Sequence, residues 1–186
     1  MYKAIVKRIV DLVKSPQTEW VHIEEENRGI NEIQNSFFYP LVAAVILGTV
    51  LGDVLGFNDF SLARISKETI IVLTSTFAGY FIAVTALNEI IASRLFNMEK
   101  QYVACVRLIA YSSSIMLCIR TVVAIVPDLF ILYALNFYTA YIIWEGSGVI
   151  IKGLEENRRA FFMVICLVLL YVSPFLVGKL MDMMMR

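Results

Sequence analysis

The chain has 186 residues, of which 59% are hydrophobic and 17% are charged. Soluble domains average about 45–50% apolar residues, so this composition excludes an ordinary water-soluble globule. Its 16 basic and 16 acidic residues give a formal net charge of +0, which argues against nucleic acid as a partner. The three cysteines and the single histidine are not clustered, so neither a disulfide framework nor a zinc site is expected.

Residues 1–36 form a polar N-terminal segment that begins with an amphipathic pattern. In MYKAIVKRIVDLVK, apolar residues fall on one arc of a helical projection and basic residues on the other. The basic face consists of Lys3, Lys7, Arg8 and Lys14. Such a helix either lies flat on a lipid surface, with its lysines near anionic head groups, or packs against the protein's own loops. These charges are not typical of a secretory signal peptide, so we expect the start to be retained.

Pro16 ends the first helix, because proline cannot continue the hydrogen-bond ladder. From residue 17 to residue 36 the chain is polar and acidic. This stretch is expected to be a second helix or a linker outside the bilayer.

Five stretches in the remainder of the chain are apolar enough to cross a bilayer, which takes about 20 predominantly apolar residues. The predicted spans are residues 37–57, 69–93, 102–119, 127–151 and 160–181. The sequence therefore predicts an all-α, polytopic integral membrane bundle of five transmembrane helices over residues 37–186, preceded by the amphipathic helix. Pro127 marks the expected start of the fourth span.

The distribution of lysine and arginine predicts the orientation, because these residues favour cytoplasmic loops. With the N-terminus inside, about ten basic residues lie in the cytoplasm and about five lie outside. The outer set is Arg64, Lys67, Arg120, Lys179 and Arg186. We therefore expect a cytoplasmic N-terminus and a C-terminus on the outside.

Polar side chains inside predicted spans are energetically unfavourable and need a reason. Glu89, Arg107 and Glu145 lie at a similar depth near the inner ends of three spans, with Asn88 as a further hydrogen-bonding group. They are expected to form an intramembrane polar cluster that locks helix register, to extend separately to the head groups, or to line a substrate or proton path.

The first span carries a small residue at every fourth position, namely Ala44, Gly48, Gly52 and Gly56. Such a face lets a second helix approach closely, which gains van der Waals contact where lipid provides no hydrophobic drive. It either closes the bundle or forms the interface of a homo-oligomer.

Catalytic motifs are missing from the sequence, which has no HExxH, GxSxG, P-loop or GxGxxG pattern. His22 lies in the acidic segment, where a solvated histidine is the simpler interpretation. We therefore expect no enzymatic activity, no metal site and no cofactor.

The third span carries a pattern that resembles a known family. In KQYVACVRLIAYSSSIMLCI, an arginine precedes an Ala-Tyr pair and small residues, as in the Ypt-interacting protein (Yip) domain family. The matching residues are Arg107, Ala110, Tyr111, Ser112 and Ser113. DLVKSPQTEW resembles the segment before the domain in bacterial members, and YIIWEGSGVIIKGLEENRRAF resembles the fourth span and following loop.

The resemblance implies a five-helix membrane domain with a cytoplasmic N-terminus. The short N-terminal arm and the absent DLYGP motif of the eukaryotic branch favour a bacterial cytoplasmic (inner) membrane. Eukaryotic members act in vesicle trafficking and membrane shaping, and some bacterial relatives are described as transport proteins.

Two functions are therefore considered. The first is a non-enzymatic membrane scaffold, which presents its amphipathic helix and cytoplasmic loops to lipid or to a cytoplasmic protein partner and forms a homo-oligomer through the glycine face. The alternative is a small-solute or ion transporter or channel, in which Glu89, Arg107 and Glu145 line a polar route.

Overall fold

The computed structural model describes residues 2–56 and 61–185, and this part of the chain is helical without strands. Its α-helices are α1 (Tyr2–Lys14), α2 (Pro16–Glu26), α3 (Ile30–Ile33), α4 (Tyr39–Gly56), α5 (Leu62–Ala92), α6 (Tyr102–Ile125), α7 (Tyr138–Ile150) and α8 (Glu156–Met184). A π-helical turn (Gln34–Phe38) joins α3 to α4, and a 3-10 helix (Pro127–Phe137) precedes α7. Phe57, the expected end of the first span, and Arg186 lie outside the described residues.

Among the described residues, four helical segments are long and apolar enough to cross a membrane. They are Ile30–Leu55, Leu62–Ala92, Tyr102–Ile125 and Glu156–Met184. Length and composition of these segments agree with the predicted spans one, two, three and five.

The predicted fourth span, residues 127–151, is divided into the 3-10 helix and α7. Leu129 leaves helical geometry with a ψ of 23°, so the chain bends soon after Pro127. At about 1.5 Å per residue, α7 alone is shorter than the roughly 30 Å hydrocarbon core. A count of five spans therefore stays a prediction.

The helices of the bundle alternate in direction. Gly48 faces Thr121 and Gly52 faces Ala124, so α4 and α6 run parallel. Gly79 faces Pro174, and Gly178 lies near Ser75 earlier in α5, so α5 and α8 run antiparallel. Since Trp144 of α7 contacts Arg159 and Thr139 contacts Tyr171, α7 is antiparallel to α8. The N-terminal segment and the end of α8 consequently lie at opposite ends of the bundle.

Helix α6 forms the centre of the bundle, and every residue from Cys105 to Leu117 is buried. A helix surrounded on all sides needs no polar face, which explains its weak amphipathic pattern. The hydroxyls of Ser113 and Ser114 donate to the carbonyls of Ala110 (2.8 Å) and Tyr111 (2.7 Å) in the same helix. The serine run is thereby accommodated largely without partners on other helices.

The small-residue face of α4 packs against α6 of the same chain. A Cβ on Gly48 would lie 2.9 Å from the carbonyl oxygen of Thr121, and one on Gly52 would lie 1.8 Å from that of Ala124. Ala44 is half-buried, whereas the packing of Gly56, the last residue of α4, lies outside what the structure describes. Gly48 and Gly52 therefore pack inside the bundle, which corresponds to the first of the two alternatives for this face.

We expect Gly52→Ala to lower the melting temperature of the detergent-solubilised protein. The added methyl group overlaps backbone rather than a flexible side chain, so α4 and α6 must separate, at a cost of about 1–3 kcal/mol. Gly29→Ala is the matched control, because nothing lies within 4 Å of a Cβ at that position. Equal melting temperatures for the two variants would contradict this packing.

Candidate functional site

Helices α1 and α2 form a cap on one end of the bundle, and Trp20 anchors it. The Trp20 ring is fully buried, and its Nε1 donates to the carbonyl of Ile142 at 2.9 Å. Its ring meets Tyr111 of α6 edge to face, with 6.1 Å between ring centroids. Gly146 makes room for the indole, because a Cβ there would lie 2.4 Å from Trp20 Cε2. The cap is therefore packed into the bundle and is not a loose polar arm.

Arg107 of α6 holds the end of the cap by three hydrogen bonds. Its guanidinium donates to Glu24 Oε2 (2.8 Å), Asn27 Oδ1 (2.6 Å) and the carbonyl of Arg28 (3.0 Å). Asn27 has a left-handed φ of 45°, which ends α2 and brings these acceptors to one point. The Arg107 side chain is 7% exposed and that of Glu24 is 30% exposed, so the ion pair is largely shielded from solvent.

The carboxylate partner of Arg107 corrects the expected cluster. Glu24 comes from the acidic segment, whereas the sequence indicated Glu89 and Glu145 as candidate partners. Those two residues have separate contacts, because docking of α2 places Glu24 directly over Arg107. Glu89 pairs with Lys100 at 2.5 Å, and both of these side chains are more than half exposed.

Glu145 lies on the other side of the cap, within 3.4 Å of Gln17 Nε2 and 3.7 Å of Arg159. Asn88 is buried, and its Oδ1 has no hydrogen-bond partner in the described part of the chain. The four residues expected to form one cluster are therefore distributed over separate contacts at the cap end.

Arg8 belongs to the cap interior rather than to an outward basic face. It forms ion pairs with Glu19 and Glu26 of α2, and its guanidinium lies 5.9 Å from the centre of the Tyr111 ring. Burial lowers the pKa of Arg8, but the hydrogen bond to Glu26 and the charge of Glu19 raise it more, so its pKa lies above the ordinary value. The other three predicted face residues, Lys3, Lys7 and Lys14, are exposed.

Helix α1 divides its apolar arc between protein and surroundings. Ile5 and Leu12 are buried against the rest of the chain. The adjacent apolar residues remain exposed. They are Val6, Val10 and Val13, with Tyr2 at the start of the helix, and together they are called the valine stripe. At about 100° per residue, the three exposed lysines lie directly beside this stripe. Helix α1 therefore packs against the protein with one part of its apolar arc and exposes the other part beside the lysines.

Two contacts that the sequence analysis missed join the connecting loops at the cap end. Gln101 Nε2 donates to the carbonyl of Lys152 (2.7 Å), and the Lys152 amide donates back to Gln101 Oε1 (2.9 Å). Arg158 Nη1 donates to the carbonyl of Leu95 at 2.8 Å. No spacing in the sequence signals these contacts, because each joins a side chain to backbone far along the chain.

The helical bundle, with its long apolar helices, is the architecture of an integral membrane protein. A family model described as "Yip1 domain" matches residues 10–177, and the chain belongs to this family. The match begins in α1 and ends in α8, so it includes most of the cap and all described parts of the bundle up to residue 177. Searches of curated proteins and of solved structures found no match.

The residues that carried the resemblance lie together in α6 and are all buried. Arg107 binds the end of α2, and Tyr111 contacts both Trp20 and Phe37, with 4.6 Å between the Tyr111 and Phe37 ring centroids. Ala110 and Ser112 are completely buried beside them. In this chain the family-like pattern therefore forms the surface on which the cap docks.

We expect Arg107→Leu to loosen the cap, because Glu24 and the carbonyl of Arg28 lose their donor. In a Trp144→Phe background, Trp20 is the only tryptophan, so its quenching by acrylamide reports docking. Quenching should increase, and the free energy of unfolding should fall by about 1–3 kcal/mol.

The matched control is Glu89→Gln, which breaks a pair with both side chains exposed and should change stability by about 0–1 kcal/mol. A double-mutant cycle with Glu24→Gln isolates the Arg107–Glu24 contribution. Unchanged quenching in Arg107→Leu would show that this arginine does not hold the cap.

Proposed function

We propose that the protein is a non-enzymatic scaffold of the membrane, which holds its cap at the bilayer surface and presents it to anionic lipid and to a protein partner. The observation that carries the proposal is the exposed valine stripe of α1 beside three exposed lysines. An amphipathic helix of this kind lies in the interface, with apolar side chains at the acyl boundary and cations near the head groups.

The position of α1 supports this function. The cap rests on α6 and α7: Glu24 contacts Arg107, Trp20 donates to Ile142, and the Tyr138 hydroxyl donates to the carbonyl of Val13. We infer that the bilayer surface meets the long apolar helices at this level. Exposed apolar stripes of this length in water are unfavourable, and contact with lipid removes them from water. Each lysine near an anionic surface contributes about 1 kcal/mol of attraction.

The rigidity of the cap also supports a presenting role. Trp20, the Arg107–Glu24 pair and the ion pairs of Arg8 fix α1 and α2 relative to the bundle. A partner or a lipid surface therefore meets a preformed surface and does not need to order it, which reduces the entropic penalty of association.

We propose that the cap end faces the cytoplasm on the basis of charge, and that the membrane is a bacterial inner membrane because the DLYGP motif of the eukaryotic branch is absent. The described cationic side chains at this end outnumber those at the other end, as the positive-inside rule requires. Those at the cap end include Lys3, Lys7, Lys14, Arg94, Lys100, Lys152 and Arg158, and those at the other end are Arg64, Lys67, Arg120 and Lys179. The transporter alternative has less support, because Glu89, Arg107 and Glu145 have separate partners.

We expect a fluorescent probe at Val10 to lie within the lipid interface. In a variant with Cys105, Cys118 and Cys166 replaced by alanine, Val10→Cys is labelled and reconstituted into anionic vesicles with brominated acyl chains. Bromine should quench the probe strongly. Replacing Lys3, Lys7 and Lys14 with glutamine should weaken interfacial binding by about 1 kcal/mol per lysine, which reduces quenching.

Glu25→Cys, on an exposed position of α2 in the same cap, is the matched control and should be quenched less. Partner recovery by crosslinking in native membranes should fall in the triple-lysine variant. The proposal fails if Val10 and Glu25 probes are quenched equally and partner recovery is unchanged.

A further inference from the structure

A cavity of about 590 Å³ opens at the end of the bundle opposite the cap. It lies between α5, α6, the 3-10 helix and α8, and its volume is in the range of small-molecule sites, about 300–1,000 Å³. Its polar lining includes Ser75, Arg120, Tyr133, Asn136, Tyr171 and Lys179. The proposed scaffold function uses none of these residues.

Arg120 is a cation of this wall without a carboxylate partner among the described residues. Its Nη1 lies 3.4 Å from Thr76 Oγ1, the one hydrogen bond described for its side chain. Of the two acidic residues on the wall, Asp182 pairs with Lys67 at 3.0 Å, and Glu68 is exposed at the edge. An arginine inside a membrane bundle normally pairs with an anion or acceptor, so Arg120 is complementary to a negatively charged group.

The neighbouring polar groups offer further hydrogen bonds. Asn136 also lines the cavity; its Oδ1, buried without a hydrogen-bond partner in the described part of the chain, can only accept, whereas its Nδ2 is a donor. The Tyr171 hydroxyl also faces the cavity, but it donates to the carbonyl of Asn136 at 3.4 Å and lies 3.0 Å from Thr139 Oγ1. The Ser75 hydroxyl donates to the carbonyl of Val72 at 3.2 Å, so the Tyr133 hydroxyl and the Lys179 ammonium are the further donors of this wall. A phosphate, with several acceptor oxygens, matches Arg120 together with the Tyr133, Lys179 and Asn136 Nδ2 donors on the same wall.

A second cavity, of about 340 Å³, continues from the first between the 3-10 helix, α7 and α8. The two cavities share Tyr133, Asn136 and Tyr171. The remaining wall of the second cavity is apolar and consists of Phe137, Ala140 and Leu167. The polar cavity therefore leads directly into a groove suited to a hydrocarbon chain.

We propose that this composite site binds an anionic phospholipid. The phosphate pairs with Arg120 and accepts hydrogen bonds from Tyr133, Lys179 and Asn136 Nδ2, while one acyl chain lies along Phe137, Ala140 and Leu167. The polar wall of the first cavity would fit a free phosphate as well as a lipid phosphate. The apolar second cavity is the feature that favours a lipid.

Binding of dioleoyl phosphatidylglycerol to the delipidated, detergent-solubilised full chain tests the proposal, with native mass spectrometry as the readout. Arg120→Gln should weaken binding by at least about tenfold, the value expected for a lost charge-assisted contact. Arg94→Gln, an exposed position at the cap end, makes the same charge change and should leave affinity unchanged. Equal affinity of wild type and Arg120→Gln overturns the site.

Two further arms distinguish lipid from free anion. Ala140→Trp fills the apolar groove, so it should reduce phosphatidylglycerol binding and leave inorganic phosphate unaffected. Dioleoylglycerol, which has the same chains without phosphate, should bind weakly to wild type. Unchanged lipid binding in Ala140→Trp overturns the lipid assignment. If Arg120→Gln does not fold, Arg120→Lys keeps the charge with different geometry and should bind phosphatidylglycerol more weakly than wild type, and equal affinity contradicts the proposal.

Discussion

The cap depends on the compensation of one buried charge, that of Arg107. A guanidinium in a largely apolar environment needs acceptors around it, because desolvation without them is strongly unfavourable. Glu24, Asn27 and the carbonyl of Arg28 supply those acceptors, and all three belong to the end of α2. Because α2 ends at this point, the Trp20 ring lies beside Gly146 and Tyr111. The position of α2 in turn fixes the position of α1. The cap and the arginine therefore require each other.

The composition and apolar stretches of the chain were sufficient to predict an integral membrane protein, and the motif that begins at Arg107 was sufficient to indicate its family. Membrane insertion is a local property of each stretch, so hydrophobicity summed over about 20 residues captures it. The partner of Arg107 could not be predicted in this way, because Glu89 and Glu145 lie inside predicted spans at a similar depth, whereas Glu24 lies in the polar segment expected outside the bilayer. Only the docking of α2 selects among them, and that docking rests on the fit of Trp20 against Gly146.

The amphipathic pattern of α1 was equally visible in the sequence. Which apolar residues pack against the protein and which stay exposed was not. A helical projection shows one continuous apolar arc, whereas the folded chain buries Ile5 and Leu12 and leaves Val6 and Val10 outside. The assignment of Arg8 shows the same limit. In the sequence Arg8 belongs to the same basic face as the lysines, and only the folded chain shows that it pairs with Glu19 and Glu26 of α2. Long-range packing decides how an arc is used, and periodicity contains no information about it.

The two ends of the bundle meet the same electrostatic requirement in different ways. At the cap end, Arg107 is compensated by Glu24 from its own chain, so that end is closed and structurally fixed. At the other end, Arg120 faces a cavity, and Asp182 on the same wall already pairs with Lys67. An arginine in a low-dielectric setting without an intramolecular anion favours one from outside, and in a membrane the most abundant candidate is a phosphate head group. One end therefore has the means to present a rigid surface, while the other has the means to respond to the lipid around it.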